Sequence, residues 1–168
     1  MHGFRTGLLL VTMASLGVAG SMASRAAGQP DPDATTPIPF PEGFRSWTHV
    51  KSAVVRPGPS NDSAFSGLHN IYANAPAMVG YRTGRFPDEA VIVFDLFDFE
   101  ESAEALRPTR RKSVSVMMRD PSAQGGWRFE DFRGGEPSQR AGAQAISACL
   151  ACHLREVEGD GVFSAFVE

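Results

Sequence analysis

Near its C-terminus the chain carries a motif that constrains its fold more than any other feature: Cys149-Leu150-Ala151-Cys152-His153. C-x-x-C-H is the attachment site of a c-type haem, in which two thiols bond to the porphyrin and the histidine ligates the iron. On a helix the two cysteines are three residues apart on one face, and His153 follows directly. All three groups therefore reach one side of a flat macrocycle, and the fold has to hold one haem c, covalently attached, beside a helix.

The same spacing of cysteines also occurs in thiol–disulfide redox motifs and in structural disulfides. A redox motif usually opens a helix, where the helix dipole lowers the pKa of the first thiol. Here the motif lies late in a helical stretch and is followed by a histidine. A metal site built from two cysteines and one histidine would need further ligands, which the local sequence does not offer. The pattern favours haem, and the chain has no other cysteines.

The N-terminus has the pattern of an export signal. Arg5 supplies a positive charge, Leu8 to Gly20 form a short apolar run, and Ser21-Met22-Ala23 or Ser24-Arg25-Ala26 offers small residues for cleavage. The run is too short to span a bilayer comfortably, and an uncleaved anchor is the alternative. We therefore predict a signal peptide over residues 1–26 and a periplasmic protein, because the motif implies haem attachment to reduced thiols outside the cytoplasm.

The rest of the chain divides into a linker and one domain. Five prolines between residues 27 and 41 predict an extended linker. Residues 42–168 then form the haem domain, and removal of the signal peptide leaves roughly 140 residues, enough for a core. The formal charge is −3, and no basic stripe is interleaved with aromatic residues. We therefore expect no nucleic-acid partner.

Apolar alternation predicts five β-strands. They are Val50–Arg56, Gly67–Asn74, Ala90–Phe99, Ser113–Met118 and Trp127–Phe132. In the fourth, Val114, Val116 and Met118 alternate with Ser113 and Ser115, so that one side of the strand is apolar.

Three segments carry helix start signals. Asn74 with Pro76 predicts a helix to about Arg82 that ends at Gly84, and Asp120-Pro121 predicts another that stops at Gly125-Gly126. Ser138 caps the last predicted helix, about Gln139 to Arg155. The inner positions of this helix are small, so a flat ligand can lie close to its backbone: Ala141, Ala145, Ala148 and Cys149. The predicted fold class is α+β, a mainly antiparallel β-sheet with short helices and a C-terminal haem-attachment helix.

Several short stretches match one protein family in the same order along the chain. They are Phe40–Trp47, His69–Asn74, Tyr81–Asp88, Gly125–Trp127, the haem motif and Val162–Ser164. With these stretches, which span about residues 40 to 166, the chain resembles the cytochrome P-460 and cytochrome c′-beta family. The resemblance implies a periplasmic, mainly β, usually dimeric protein. It also implies a five-coordinate haem c with His153 proximal and the distal side open.

The resemblance also bears on the distal pocket. The P-460 branch carries a lysine cross-linked to the haem, on the strand after a Gly-x-Phe-x-Asp segment. Laying that segment on Gly84 to Asp88 puts Phe94 at the lysine position, and the chain's two lysines, Lys51 and Lys112, lie elsewhere. The resemblance therefore implies that the cross-link is absent and favours the c′-beta branch, whose distal pocket is lined by phenylalanine. A distal arginine of the P-460 branch aligns roughly with His69. The alternative interpretations are that Phe94 is simply a core residue and that His69 points away from the haem.

The group opposite His153 decides between an electron carrier and an open site. A sixth protein ligand would close the iron and produce an electron carrier. The candidates for that ligand are His49, His69, Met78, Met117 and Met118. An open, apolar site would instead bind neutral diatomic gases such as nitric oxide or carbon monoxide, the reading we favour. The late position of the motif weakly disfavours the electron carrier.

A third interpretation is that the chain is an enzyme that oxidises hydroxylamine or turns over peroxide at the open iron. Four carboxylates are candidate proton acceptors, and nothing local singles one out: Asp88, Glu89, Asp95 and Asp98. Arg45, Arg82 and Arg85 are candidates for binding haem propionates, although for each a solvated surface position is the simpler reading. The absent lysine disfavours hydroxylamine chemistry. The expected partners are a small gaseous or nitrogenous ligand, a periplasmic redox partner and a second copy of the chain.

Overall fold

A computed structural model describes residues 36–58, 64–156 and 160–167 of the chain. The predicted signal peptide and the first part of the Pro-rich segment lie outside these residues. Five strands and two helices make up the described part: β1 Thr48–Val55, β2 Gly67–Ala73, α1 Ala75–Thr83, β3 Val91–Glu101, β4 Leu106–Arg119, β5 Trp127–Arg133 and α2 Ala143–Glu156. The strands form one antiparallel sheet in the order β1-β2-β3-β4-β5. The predicted α+β class, with the last helix near the C-terminus, is confirmed.

The sheet register brings one set of side chains to a common face. Phe94 on β3 lies opposite Ile71 on β2 and Ser115 on β4. Two residue pairs further along, Met117 on β4 lies opposite Ile92 on β3 and also opposite Phe129 on β5. Directly opposed residues of antiparallel strands project from the same face. This face of the sheet carries the cavity described below.

Two apolar clusters cover the two faces of the sheet. The first joins Ile92 and Trp127 to Ala77 and Met78 of α1. The second joins Val93, Val114, Val116 and Phe132 to Ile38 and Phe44. The strand alternation read from the sequence explains this division, because neighbouring residues such as Ile92 and Val93 bury their side chains on opposite faces. Ile38 is only 4% exposed, so the end of the Pro-rich segment packs on the sheet.

The first helix follows its sequence signals. The Asn74 side chain accepts a hydrogen bond from Ala77 N at 2.9 Å, which caps α1 as predicted. The same oxygen accepts from Val91 N at 3.0 Å and so ties the helix to β3. Gly84 ends α1 in the left-handed conformation, with φ +76°. Among the described residues, neither helix is long and apolar enough to cross a membrane.

The predicted helix from Asp120 to Gly125 is wrong. The Asp120 side chain accepts hydrogen bonds from the amide and the hydroxyl of Ser122, at 2.9 and 2.6 Å, and closes a local turn. Only a short 3-10 segment follows, at Gln124–Gly126, and Gly125 inside it has φ +73°. The segment is too short to nucleate a helix because a first turn fixes many dihedral angles for one hydrogen bond.

The start of the last helix was also predicted wrongly, since α2 begins at Ala143 rather than Gln139. Residues 139–141 are drawn into the sheet instead: Arg133 N donates to Gln139 O, and Ala141 N donates to Asp131 O, each at 2.8 Å. Arg140 also donates to Ile38 O at 2.9 Å. Ala145 and Ala148, predicted to face inward, are exposed. These tertiary hydrogen bonds override the local capping signal of Ser138.

Candidate functional site

A partly open cavity of about 240 Å³ lies between the sheet and α2. The motif residues Cys149, Cys152 and His153 all line it. The remaining wall is almost wholly apolar and comes from the sheet and from two segments flanking it: Phe65, Ile71, Ile92, Phe94, Ser115, Val116, Met117, Phe129, Glu130, Val162, Phe163 and Ser164. The chain therefore brings its two thiols and one imidazole to a single apolar cavity.

The environment of His153 fixes its protonation state. His153 Nδ1 lies 2.7 Å from Gly161 O, and because a carbonyl oxygen only accepts, Nδ1 must carry the proton. The ring packs between Phe129 and Phe163, with centroids 4.9 and 4.8 Å away. Burial lowers the pKa of His153, while the bond to Gly161 opposes that shift. Nε2 is left with a free lone pair in the neutral ring, which is the tautomer that an iron ligand requires.

The two cysteines are partly buried thiols that no disulfide joins. Burial raises the pKa of Cys149, and the nearby Asp131 carboxylate raises it further. A catalytic redox cysteine has a lowered pKa instead, usually at the first turn of a helix. Cys149 lies in the middle of α2, so its surroundings do not match the thiol–disulfide reading. Among the residues that the structure describes, no group of three or more His, Cys, Asp or Glu could hold a metal ion.

Comparison with known proteins decides the family. The family model described as Cytochrome P460 matches residues 41–164. This chain belongs to the cytochrome P460 family. No curated protein matches it. Membership of the cytochrome P460 family implies a haem cofactor, and the cavity fits one: its walls are apolar, and His153 offers an unprotonated nitrogen beside two thiols.

Of the two residues placed at the distal side from the sequence, only one lines the cavity of this P460-family chain. Phe94 is part of the wall. His69 stands behind it, with its ring edge-on to Phe94 at 4.6 Å and its Nε2 donating to Phe65 O at 2.6 Å. Burial lowers the pKa of His69, and the charge of Lys112 acts in the same direction. His69 thus contacts two phenylalanines of the wall, Phe94 through its ring and Phe65 through its carbonyl.

Phe65 is a wall residue that sequence reasoning missed. It is 51% exposed and stands just before β2, outside any alternating pattern. Its position follows from the bond between its carbonyl and His69, a contact with no signature in the sequence. The aromatic part of the wall is therefore Phe65, Phe94, Phe129 and Phe163.

The five candidates for a sixth ligand are separated by the fold. Met117 lines the cavity. Met118, its neighbour, packs in the cluster on the other face of the sheet. Met78 lies on α1 and is buried in the first cluster, with 3% of its surface exposed. His49 is exposed, where its Nε2 lies 2.9 Å from Ser52 Oγ.

The charged candidates lie away from the wall that the structure describes. Asp95 is fully buried and pairs with Arg45 and with Arg111, each at 2.9 Å. Asp98 pairs with Arg110 and more loosely with Lys112. The remaining four are exposed: Arg82, Arg85, Asp88 and Glu89.

Two carboxylates that the sequence did not single out lie closer to the cavity: Glu130, which lines it, and Asp131, which contacts a lining residue. Asp131 accepts a hydrogen bond from Ser115 Oγ at 2.6 Å, and Ser115 itself lines the cavity.

Proposed function

We propose that this protein is an exported haem c protein with five-coordinate iron that binds small neutral gases such as nitric oxide or carbon monoxide. The observation that carries the proposal is the meeting of both motif thiols, the Nδ1-protonated His153 and the Phe94 ring in one apolar cavity. Cys149 and Cys152 would hold a single haem through thioether bonds, and His153 Nε2 would ligate its iron. The bound haem supplies an iron that takes up a diatomic ligand.

The chain's own residues would set which ligands bind. Phe65, Ile71 and Phe94 present only carbon to the cavity, so they exclude water and offer no hydrogen bond to a bound ligand. A ligand that needs charge stabilisation, as dioxygen does, gains nothing from these three side chains, whereas neutral diatomic gases need no such help. The Nδ1 proton of His153 stays on the ring because Gly161 O accepts a hydrogen bond from Nδ1–H.

We also propose that the protein belongs with the c′-beta branch rather than the cross-linked P-460 branch. Support comes from Phe94 at the aligned lysine position and from Lys112, whose Nζ donates to Ser66 O at 2.8 Å. This disfavours hydroxylamine oxidation. The signal-like N-terminus supports a periplasmic location, and the family resemblance supports a homodimer and a periplasmic redox partner.

Covalent attachment is tested by extracting the purified protein with acidified acetone. We expect the haem to stay with the polypeptide, and the pyridine haemochrome to have the absorption of two thioethers. Cys149→Ser or Cys152→Ser should shift that absorption, since one thioether is left, and the double variant should release the haem. Ala151→Ser, at an exposed position of the same helix, is the matched control. Haem that leaves the wild-type protein on extraction would contradict the proposal.

Met117 supports a second candidate function, electron transfer. Its side chain lines the same cavity as His153, and a methionine thioether is a known sixth ligand of haem c. Met117→Leu distinguishes the two functions because leucine keeps the apolar volume and removes the sulfur. A five-coordinate protein keeps its ferrous spectrum in this variant. If Met117 ligates the iron, the variant loses the low-spin spectrum that the wild-type protein has.

A further inference from the structure

The segment that carries Gly161 is held by hydrogen bonds to β5, to the loop after α1 and to α1 itself. Asp160 O accepts from Trp127 Nε1 at 2.6 Å, and the Asp160 side chain accepts from Phe86 N at 3.1 Å. Further along, Ser164 Oγ lies 2.6 Å from the Tyr81 hydroxyl. Two of these contacts hold the residue directly before Gly161, so they restrict where the Gly161 carbonyl can lie.

Trp127 is a rigid anchor for this segment. It is 3% exposed and meets the Phe86 ring edge-on, with centroids 5.4 Å apart. The Arg119 guanidinium lies 5.5 Å from its ring. A fully packed indole has no freedom to move its N–H, so the Asp160 carbonyl has a fixed donor.

Gly161 itself also lies next to the Trp127 ring. Its backbone has φ +72°, a left-handed conformation that favours glycine. A Cβ built at this position would stand 3.8 Å from Trp127 Cδ1 and 3.9 Å from Nε1. The indole therefore lies beside both Asp160 and Gly161, just before the carbonyl that accepts the hydrogen bond from His153 Nδ1.

We propose that Trp127 and Asp160 are positioning residues for the axial histidine: by fixing the Gly161 carbonyl they set the strength of the His153 Nδ1–H bond and hence how strongly Nε2 donates to the haem iron. The inference rests on the proposed ligation of haem by His153. Neither Trp127 nor Asp160 lines the cavity among the residues that the structure describes, so both act through Gly161. A partner that holds the second ring nitrogen of a ligating histidine raises the basicity of the ligand.

Trp127→Phe tests the inference, because phenylalanine keeps an aromatic ring and removes the N–H. The readouts on the ferrous holoprotein are the iron–histidine stretching frequency, from resonance Raman spectra, and the reduction potential. We expect a lower, broader stretching band and a higher potential, since weaker donation from Nε2 stabilises ferric iron less. A roughly tenfold change in the relative stabilisation of the two oxidation states corresponds to about 59 mV.

Trp47→Phe is the matched control, because Trp47 is the chain's other tryptophan and packs in the cluster on the opposite face of the sheet. It should leave both readouts unchanged. Asp160→Ala should act in the same direction as Trp127→Phe, since it removes the acceptor of Phe86 N. Asp160→Asn keeps an acceptor oxygen there and should stay close to wild type.

The outcomes separate this inference from the function on which it rests. Wild-type protein without covalent haem would overturn the proposed function itself. Covalent haem, with Trp127→Phe giving the wild-type frequency and potential, would overturn only the inference. If Trp127→Phe yields no holoprotein, the Asp160 pair decides: a shift in Asp160→Ala that is absent in Asp160→Asn supports the inference, and wild-type values in both refute it.

Discussion

Replacing Phe94 by alanine should speed the binding of carbon monoxide to the reduced protein. Phe94 lines the cavity and meets His69 edge-on at 4.6 Å. If Phe94 covers the ligand site as proposed, an entering ligand must push the ring off its rotamer, at about 0.5–1.5 kcal/mol, and break its contact with His69, at about 0.5–1.5 kcal/mol. The two costs together amount to about 1–3 kcal/mol, which corresponds to about a 5-fold to 150-fold faster association.

The assay is carbon monoxide rebinding after flash photolysis of the ferrous complex. Phe97→Ala is the matched control, since Phe97 lies on the same strand but contacts the guanidinium groups of Arg45 and Arg111, away from the described cavity wall. We expect the control to lose stability without gaining speed. Equal rates in Phe94→Ala and wild type, or equal acceleration in both variants, would refute the argument that Phe94 blocks the ligand site.

Three further variants test the electrostatics of the fold. Burial depresses the pKa of His69 below its ordinary value of 6.5 in the folded state. Its contribution to stability is therefore present above pH 6.5 and is lost as the pH falls through the lowered pKa. His69→Gln should flatten this part of the pH dependence of the free energy of unfolding in urea, and an unchanged slope would contradict this assignment. Asp95→Ala removes the fully buried carboxylate shared by Arg45 and Arg111, whose side chains are 54% and 26% exposed. Because water can solvate both arginines, the expected cost is about 1.5–3 kcal/mol in the free energy of unfolding. Arg110→Ala breaks only an exposed ion pair and should cost less than about 1 kcal/mol in the same titration; similar losses in both variants would contradict the buried-pair argument.

Local patterns predicted the parts of the fold that depend on local physics. The Asn74 cap and the apolar side of β4 follow from residue type and alternation alone. The start of α2 does not, because Arg140 is drawn toward Ile38, far away in the sequence. The extension of β4 back to Leu106 was missed for the same reason, since its charged residues pair with the end of β3 rather than form an apolar run.

The site divides in the same way between local and tertiary information. The motif gave Cys149, Cys152 and His153 as a group, and the structure brings them to one cavity. Sequence could not say which of two adjacent methionines faces that cavity, because one residue of register decides the face. It also could not identify the Gly161 carbonyl as the partner of His153, since every residue carries a carbonyl and only the folded chain selects one.

The optical spectrum of the dithionite-reduced protein, recorded before and after nitric oxide is added, tests whether the iron is five-coordinate and open to a ligand. We predict a high-spin, five-coordinate ferrous spectrum that changes on addition of nitric oxide, because the proposed function gives the iron His153 as its one protein ligand and leaves the other side open. A low-spin spectrum with a sharp band near that of ordinary cytochromes c, unaltered by nitric oxide, would contradict it. A red-shifted Soret band of the cross-linked type would instead contradict the proposal that Phe94 takes the place of a cross-linking lysine.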